Sequence, residues 1–211
     1  MFVLWTIGAA AFHAAMVKRN WRNRTIRMLD HAQLSAIRTL SHHRHDWMND
    51  LQILYGYLRL NKPDKAAEIV DRIRERMEAD SKVSQLGNAE LSAFLLSFRT
   101  VCDHMRLDVK VSDGVSLDRM PLDSDKLAAC LIGLINAIRF RAASPSSVEN
   151  VLRLTLSRSE GALNVELSFE GEWAAGQSLA EEAGQLLRGL GQFTEEEEAG
   201  ERPGAVRRLL V

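Results

Sequence analysis

The side chains best suited to chemistry lie together at residues 41–49, where the sequence reads SHHRHDWMN. A neutral imidazole is a good nucleophile towards phosphorus near pH 7. A neighbouring cation such as Arg44 can offset the charge of a phosphoryl group, and Asp46 can accept a hydrogen bond that orients an imidazole. The segment is therefore a candidate site for phosphoryl transfer.

Two other interpretations of these histidines stay open. A surface histidine without a chemical role is common, and a local group of three can arise by chance. His42 also lies three residues before His45 and four before Asp46, spacings that bring two metal ligands together on a helix. A zinc site needs third and fourth ligands, however, and the segment lacks them.

A seven-residue repeat of apolar residues predicts the helix that carries this segment. Six of the seven a and d positions are apolar, and Met48 and Tyr55 at position e widen the stripe. Such a stripe is typical of a bundle seam, in which Arg44 either marks a functional site or reaches out to solvent. The a positions are Ile37, Arg44, Leu51 and Leu58, and the d positions are Leu40, Trp47 and Leu54.

The same register places the candidate residues away from the seam. His45 and Gln52 fall at position b, Asp46 at position c, and His42 and Asn49 at position f. We expect these side chains to face solvent, where a rigid helix presents them to a partner protein. His42, Asn49 and Gln52 form the expected docking surface.

The helix is expected over residues 20–60, followed by a turn at Pro63 and a second helix over residues 64–84. Proline is tolerated in a first helical turn but not inside a helix. A loop this short makes the two helices antiparallel neighbours. Two helices cannot enclose a core, so we expect two hairpins to dimerise into a four-helix bundle.

Residues 1–17 carry no charge and are followed by a basic cluster, Lys18, Arg19, Arg22, Arg24 and Arg27. A secretory signal has its positive charges before the apolar run, whereas here they follow it. This order favours an inner-membrane anchor with the basic residues on the cytoplasmic side. Seventeen residues, five of them alanine, are at the lower limit for a span, so a soluble helix is the alternative.

Residues 86–211 are long enough for a further domain, which we expect to be α+β with helices on one face of a sheet. The chain is thus divided into residues 1–17, a hairpin at 18–85 and this carboxy-terminal domain. Apolar periodicity predicts helices at 88–106, 123–141 and, more weakly, 177–190. Alternation predicts strands at 107–111, 151–158, 162–169 and 205–211, of which the middle two form a hairpin.

The composition excludes several classes of protein. A net charge of −1 argues against a general nucleic-acid binder. Two cysteines, Cys102 and Cys130, are too few for a disulfide framework or a four-cysteine zinc site and are typical of reduced thiols inside a cell.

Residues 44–52, RHDWMNDLQ, and the apolar run after them resemble the phosphoacceptor helix of the sporulation initiation phosphotransferase family, the B component of the Bacillus phosphorelay. They are similar, more distantly, to the His-Glu/Asp-Phe-x-Asn motif of citrate- and fumarate-type sensor histidine kinases. The resemblance covers about residues 40–85 and implies a dimeric hairpin. It also implies that His45 is the phosphoacceptor, supported by Arg44, Asp46 and Asn49.

The order of elements after residue 86 resembles the ATP-binding domain of sensor histidine kinases, but in a degenerate form. Asn136 matches a magnesium-site Asn of that domain, whereas the position four residues earlier is Ile132. The Asp-x-Gly-x-Gly motif is replaced by FEGEW at 169–173, and the glycine-rich lid is reduced to residues 189–191. Backbone amides need glycine to approach a phosphate closely, and the acidic run at 195–198 would repel ATP. We therefore expect a kinase-like domain without a nucleotide, in which Asn136 can also be an ordinary polar residue.

The resemblance implies a phosphotransferase that relays a phosphoryl group between response-regulator aspartates through His45 in a sporulation-type phosphorelay. Its partners would be receiver domains, which would supply Mg²⁺, and the chain would need no cofactor or metal of its own. Two alternatives remain: a membrane-anchored sensor histidine kinase that uses ATP, which Asn136 favours, and a non-catalytic dimerisation or adaptor module.

Overall fold

A computed structural model describes residues 2–120, 123–143, 149–159, 162–174, 194–198 and 206–210 of the chain. The chain divides into two units, Met1–Asp46 and Trp47–Val211. The domain boundaries proposed from the sequence, after residues 17 and 85, stay a prediction.

The first helix, α1, runs over Phe2–Arg59 and begins well before the predicted start at residue 20. No proline lies in this range, and its alanine-rich amino-terminal part has high helix propensity. In the part of the chain that the structure describes, no helix has an apolar stretch sufficient to cross a membrane. The expectation of a membrane span at residues 1–17 is therefore not supported.

The second helix, α2, runs over Pro63–Ser84, as predicted. The chain reverses at Asn61, whose φ of 54° lies in the left-handed region that asparagine tolerates better than most residues. The amide of Lys62 donates to the carbonyl of Tyr57 at 3.0 Å and closes the turn. The predicted pair of helices joined by a short turn is confirmed.

The remaining elements confirm an α+β fold. The helix predicted at 88–106 ends at Val101, because Met105 and Arg106 pair with Asn150 and Val151 in a sheet instead. Residues 194–198, four of them glutamate, form a strand that was not predicted. The helix predicted at 177–190 lies outside the described residues. The elements are α3 (Ala89–Val101), β1 (Met105–Val111), a short 3₁₀ turn (Leu117–Arg119), α4 (Ser124–Arg141), β2 (Asn150–Ser159), β3 (Ala162–Glu170), β4 (Thr194–Glu198) and β5 (Val206–Leu210).

The sheet has the order β1-β2-β3, with β1 parallel and β3 antiparallel to β2. Helix α4 makes the crossover between the parallel strands, and the predicted β2–β3 hairpin is confirmed. Strands β4 and β5 form a separate antiparallel pair. Alternate residues of β2 and β3 are buried in one cluster with the apolar faces of α3 and α4, including Phe98, Ile135, Leu154 and Phe169.

A buried asparagine, Asn150, connects the start of β2 to its neighbours. Its side-chain amide donates to the carbonyls of His104 and Ala143 at 3.2 and 2.6 Å, and its oxygen accepts from the amide of Glu172 at 3.0 Å. A side chain at Gly171 would collide with this amide. The junction thus fixes the ends of all three strands of the larger sheet.

Candidate functional site

Helix α1 carries all six residues that the sequence predicts for the site. In the first unit, His42, Arg44 and His45 are exposed, and Asp46 is half-buried. The His45 side chain is 84% exposed. Its imidazole is thus accessible to the surface of a partner protein.

Asp46 does not hydrogen-bond to His45 in this structure. The distance between His45 Nδ1 and Asp46 Oδ1 is 3.9 Å, which exceeds hydrogen-bond length. Consecutive helical residues diverge by about 100° around the axis, so a closer approach would require both side chains to bend towards each other. At this distance the carboxylate still attracts a positively charged imidazole.

Arg44 extends into solvent, although the heptad places it in the seam. Its Nη2 donates to Ser41 Oγ at 3.5 Å, a contact within the same turn of helix. The exposed guanidinium is available to an approaching anion.

In the second unit, Asn49 and Gln52 are exposed as the heptad predicts. Asn49 and Gln52 are three residues apart, so helical periodicity places them on one face. The heptad register predicts that His45 shares this face. We call this exposed polar face of α1 the motif face. The roles of its residues in catalysis and docking stay predictions.

The apolar seam of α1 is largely uncovered in the single chain. Trp47, Leu51 and Leu58 are 52%, 55% and 57% exposed, and Met48 and Tyr55 are exposed beside them. We call these five residues the exposed strip. Of the predicted a and d positions in the second unit, only Leu54 is half-buried.

Sequence reasoning missed the ion pair that Asp50 on α1 forms with Arg76 on α2. The Asp50 side chain is 8% exposed, and its Oδ2 accepts from Arg76 Nη1 on α2 at 2.9 Å. The available signal was an acidic residue directly next to the seam, but nothing in the pattern identifies a partner 26 residues later.

Neither a metal site nor a nucleotide site gains support from the described residues. These residues include no group of three or more His, Cys, Asp or Glu side chains placed to hold a metal ion. Asn136 and Ile132 are half-buried on α4, and the reduced lid at 189–191 lies outside the described range. Burial raises the pKa of the Cys102 and Cys130 thiols, so both cysteines are poor nucleophiles.

Residues 29–86 match the family model described as sensor kinase SpoOB-type, alpha-helical domain. This range contains the motif face, the exposed strip and the whole of α2. The resemblance to the sporulation initiation phosphotransferase family is thereby confirmed for this part of the chain.

Over 138 residues the chain is 29% identical to sporulation initiation phosphotransferase B of Bacillus subtilis (strain 168), an alignment that covers 65% of this chain and 71% of the relative. Among solved structures, a mycobacterial sensor histidine kinase, MprB, is 12% identical, with 58% of this chain and 92% of that chain covered and a TM-score of 0.41. A bacterial phosphotransferase is 11% identical, with 84% and 95% covered and a TM-score of 0.34.

Proposed function

We propose that this chain is a phosphotransferase of a sporulation-type phosphorelay. His45 accepts a phosphoryl group from the aspartyl phosphate of one receiver domain and passes it to the aspartate of a second. The observation that carries the proposal is the exposed imidazole of His45 on a helix within the segment that matches the family model. The name of the Bacillus relative supports the same class of reaction.

The transfer needs little from the chain beyond a positioned nucleophile. A ring nitrogen of neutral imidazole attacks phosphorus with its lone pair, so no proton has to leave before the N–P bond forms. The bond from phosphorus to the aspartate oxygen breaks in line, and the carboxylate is the leaving group. The second transfer is the same displacement in reverse, with the second aspartate as nucleophile.

The neighbours of His45 have supporting roles in this scheme. The Arg44 guanidinium offsets charge on the phosphoryl oxygens. Asp46 stabilises the positive charge that develops on the attacking imidazole, and Asn49 contacts the phosphoryl group or the receiver from the same face. Mg²⁺ is supplied by the acidic site of the receiver, and the chain provides no cofactor of its own.

The proposed partners account for two surfaces of α1. The receivers dock on the motif face, with His42 and Gln52 beside the phosphoacceptor. A second copy of the chain covers the exposed strip, and two hairpins together form a four-helix bundle. Because receivers act inside the cell, this function places the chain on the cytoplasmic side.

The proposal is tested by incubating the chain with a radiolabelled phospho-receiver and, separately, with labelled ATP. Wild type should gain label from the receiver, and His45→Ala should not. His13→Ala is the matched control, because His13 is also exposed on α1 but lies outside the matched segment. Label should then pass from the loaded chain to a second, unlabelled receiver.

Each other outcome identifies an alternative. Label acquired by His45 from ATP alone would establish a kinase instead. No label from either donor, together with full biological activity of His45→Ala, would establish a non-catalytic adaptor.

A further inference from the structure

The part of α1 in the second unit presents two apolar strips. One is the exposed strip. The other consists of Ile53, Leu54 and Tyr57, which are half-buried and lie three, four and seven residues after the buried Asp50. At 3.6 residues per turn the centres of the two strips are about a third of a turn apart.

Apolar burial does not determine which of these strips faces α2. The hydrophobic effect is non-directional and scales with the area removed from water. Both strips carry large aliphatic and aromatic side chains, so either could cover the apolar residues of α2. α1 therefore has two possible rotational settings about its axis, one for each strip that can face α2. A specific contact has to distinguish them.

Asp50 and Arg76 provide such a contact. Among the described residues of the two hairpin helices, Asp50 is the one buried charged side chain. Arg76, its partner at 2.9 Å, lies seven residues after Ile69 and seven before Val83, both of which are buried. The cation thus interrupts an apolar column of α2 opposite the carboxylate.

Stability alone does not explain an ion pair at this position. Desolvation of the buried Asp50 carboxylate offsets part of its attraction to Arg76, whose side chain is 41% exposed, and well-packed apolar residues often do as well or better. The best-attested use of buried polar groups in helical bundles is to specify one arrangement among several of similar energy.

We propose that the Asp50–Arg76 pair selects the rotational setting of α1 in the hairpin. In the selected setting the Ile53, Leu54 and Tyr57 strip faces α2, and the exposed strip is left for a second copy. Asn49 and Gln52, and with them the motif face, then point outward. Rotation by a third of a turn would direct the exposed strip to α2 and move the motif face to where the second copy packs. The effect on transfer rests on the proposed function; the rotational setting itself does not.

The test compares three double variants of the full chain. Asp50→Ala with Arg76→Ala removes both charges without adding a large apolar side chain to either strip, and Asp50→Arg with Arg76→Asp reverses the pair. Lys65→Gln with Glu68→Gln is the control, since it removes an exposed ion pair of 2.8 Å on α2, the helix that carries Arg76. Thermal melting, the rate of diethyl pyrocarbonate modification at His45 measured by peptide mass spectrometry, and transfer from a labelled receiver are recorded for each.

The Ala/Ala variant should still unfold in one cooperative thermal transition. Modification of His45 and transfer from the receiver should both fall about twofold, because neither setting is then favoured and the one that hides the motif face is about as populated as the other. The reversed pair should restore both rates to the wild-type values, since the same two helix positions again attract each other. The Lys65/Glu68 control should change neither rate.

Wild-type modification and transfer rates in the Ala/Ala variant would overturn the proposal. Unfolding of that variant would also overturn it, because the pair would then serve stability. If modification of His45 falls as expected but even wild type gains no label from a receiver, the proposed function fails and the role of the pair stands.

Discussion

Replacement of Leu51 by glutamate tests whether the exposed strip of α1 is a contact between two copies of the chain. Leu51 lies in the middle of this strip and is 55% exposed in the single chain. In a monomer the carboxylate of a glutamate there can reach solvent, so the substitution costs little. In a dimer it would lie among apolar side chains of the other copy.

The magnitude follows from the area that remains exposed. Complete burial of a Leu side chain stabilises by about 1.5–3 kcal/mol, so burial of the remaining half contributes about 1 kcal/mol per side chain. The symmetry of a dimer doubles each contribution, and the whole strip provides about 10 kcal/mol, comparable with the cost of association. Leu51→Glu removes about 2 kcal/mol of this and adds at least about 1 kcal/mol for each poorly solvated carboxylate. The combined loss of about 4 kcal/mol raises the dissociation constant about a thousandfold.

Sedimentation equilibrium over a wide range of protein concentration measures this constant. Gln52→Glu is the matched control, because it introduces the same charge on the motif face of the same helix and should leave the dimer intact. A dimer of Leu51→Glu as tight as wild type would refute the assignment of the exposed strip. Equal weakening by both variants would show that net charge, rather than apolar contact, controls association.

Three further predictions concern the carboxy-terminal domain and the motif face. Asn88→Ala removes two hydrogen bonds: the side-chain oxygen accepts from the amide of Leu91 at 3.0 Å, and the side-chain amide donates to Asp125 at 3.0 Å. The free energy of unfolding measured in urea should fall by about 1–3 kcal/mol, and an unchanged midpoint would contradict this. Because burial raises the pKa of both cysteine thiols, they should react slowly with a disulfide reagent at pH 8 until the chain unfolds; rapid reaction of native protein would show that they are accessible. Asn49→Ala should change the free energy of unfolding by about 0.5 kcal/mol or less, since the side chain is exposed, while transfer from a phospho-receiver slows; full transfer would exclude Asn49 from the reaction.

The elements that were predicted correctly are those with a local periodicity. Strands β2 and β3 alternate apolar and polar residues, and the helices carry apolar stripes at helical intervals. The errors arose where distant residues decide the structure. Met105 and Arg106 continue the pattern of α3 in sequence, but their pairing with Asn150 and Val151 makes them strand. Four consecutive glutamates have low strand propensity and no alternation, so β4 could not be predicted.

The site shows the same division between local and distant information. The heptad register correctly predicts that His45, Asn49 and Gln52 are exposed, because it depends only on the spacing of residues along one helix. It does not predict the partner of Asp50, which lies on the next helix. It also cannot give the 3.9 Å between His45 and Asp46, because side-chain torsions set that distance.

The exposure of His45 bears on how long a phosphoryl group could remain there. A phosphohistidine on a side chain that is 84% exposed is open to attack by water. Water exclusion, which most enzymes achieve with their own walls, has to come from the docked receiver. Under the proposed function water is therefore excluded from the phosphoryl group only while a receiver is docked. Between two encounters the phosphohistidine at His45 is lost by hydrolysis. The signal that reaches the second receiver would then depend on the delay between encounters as well as on the amount of phosphorylated donor.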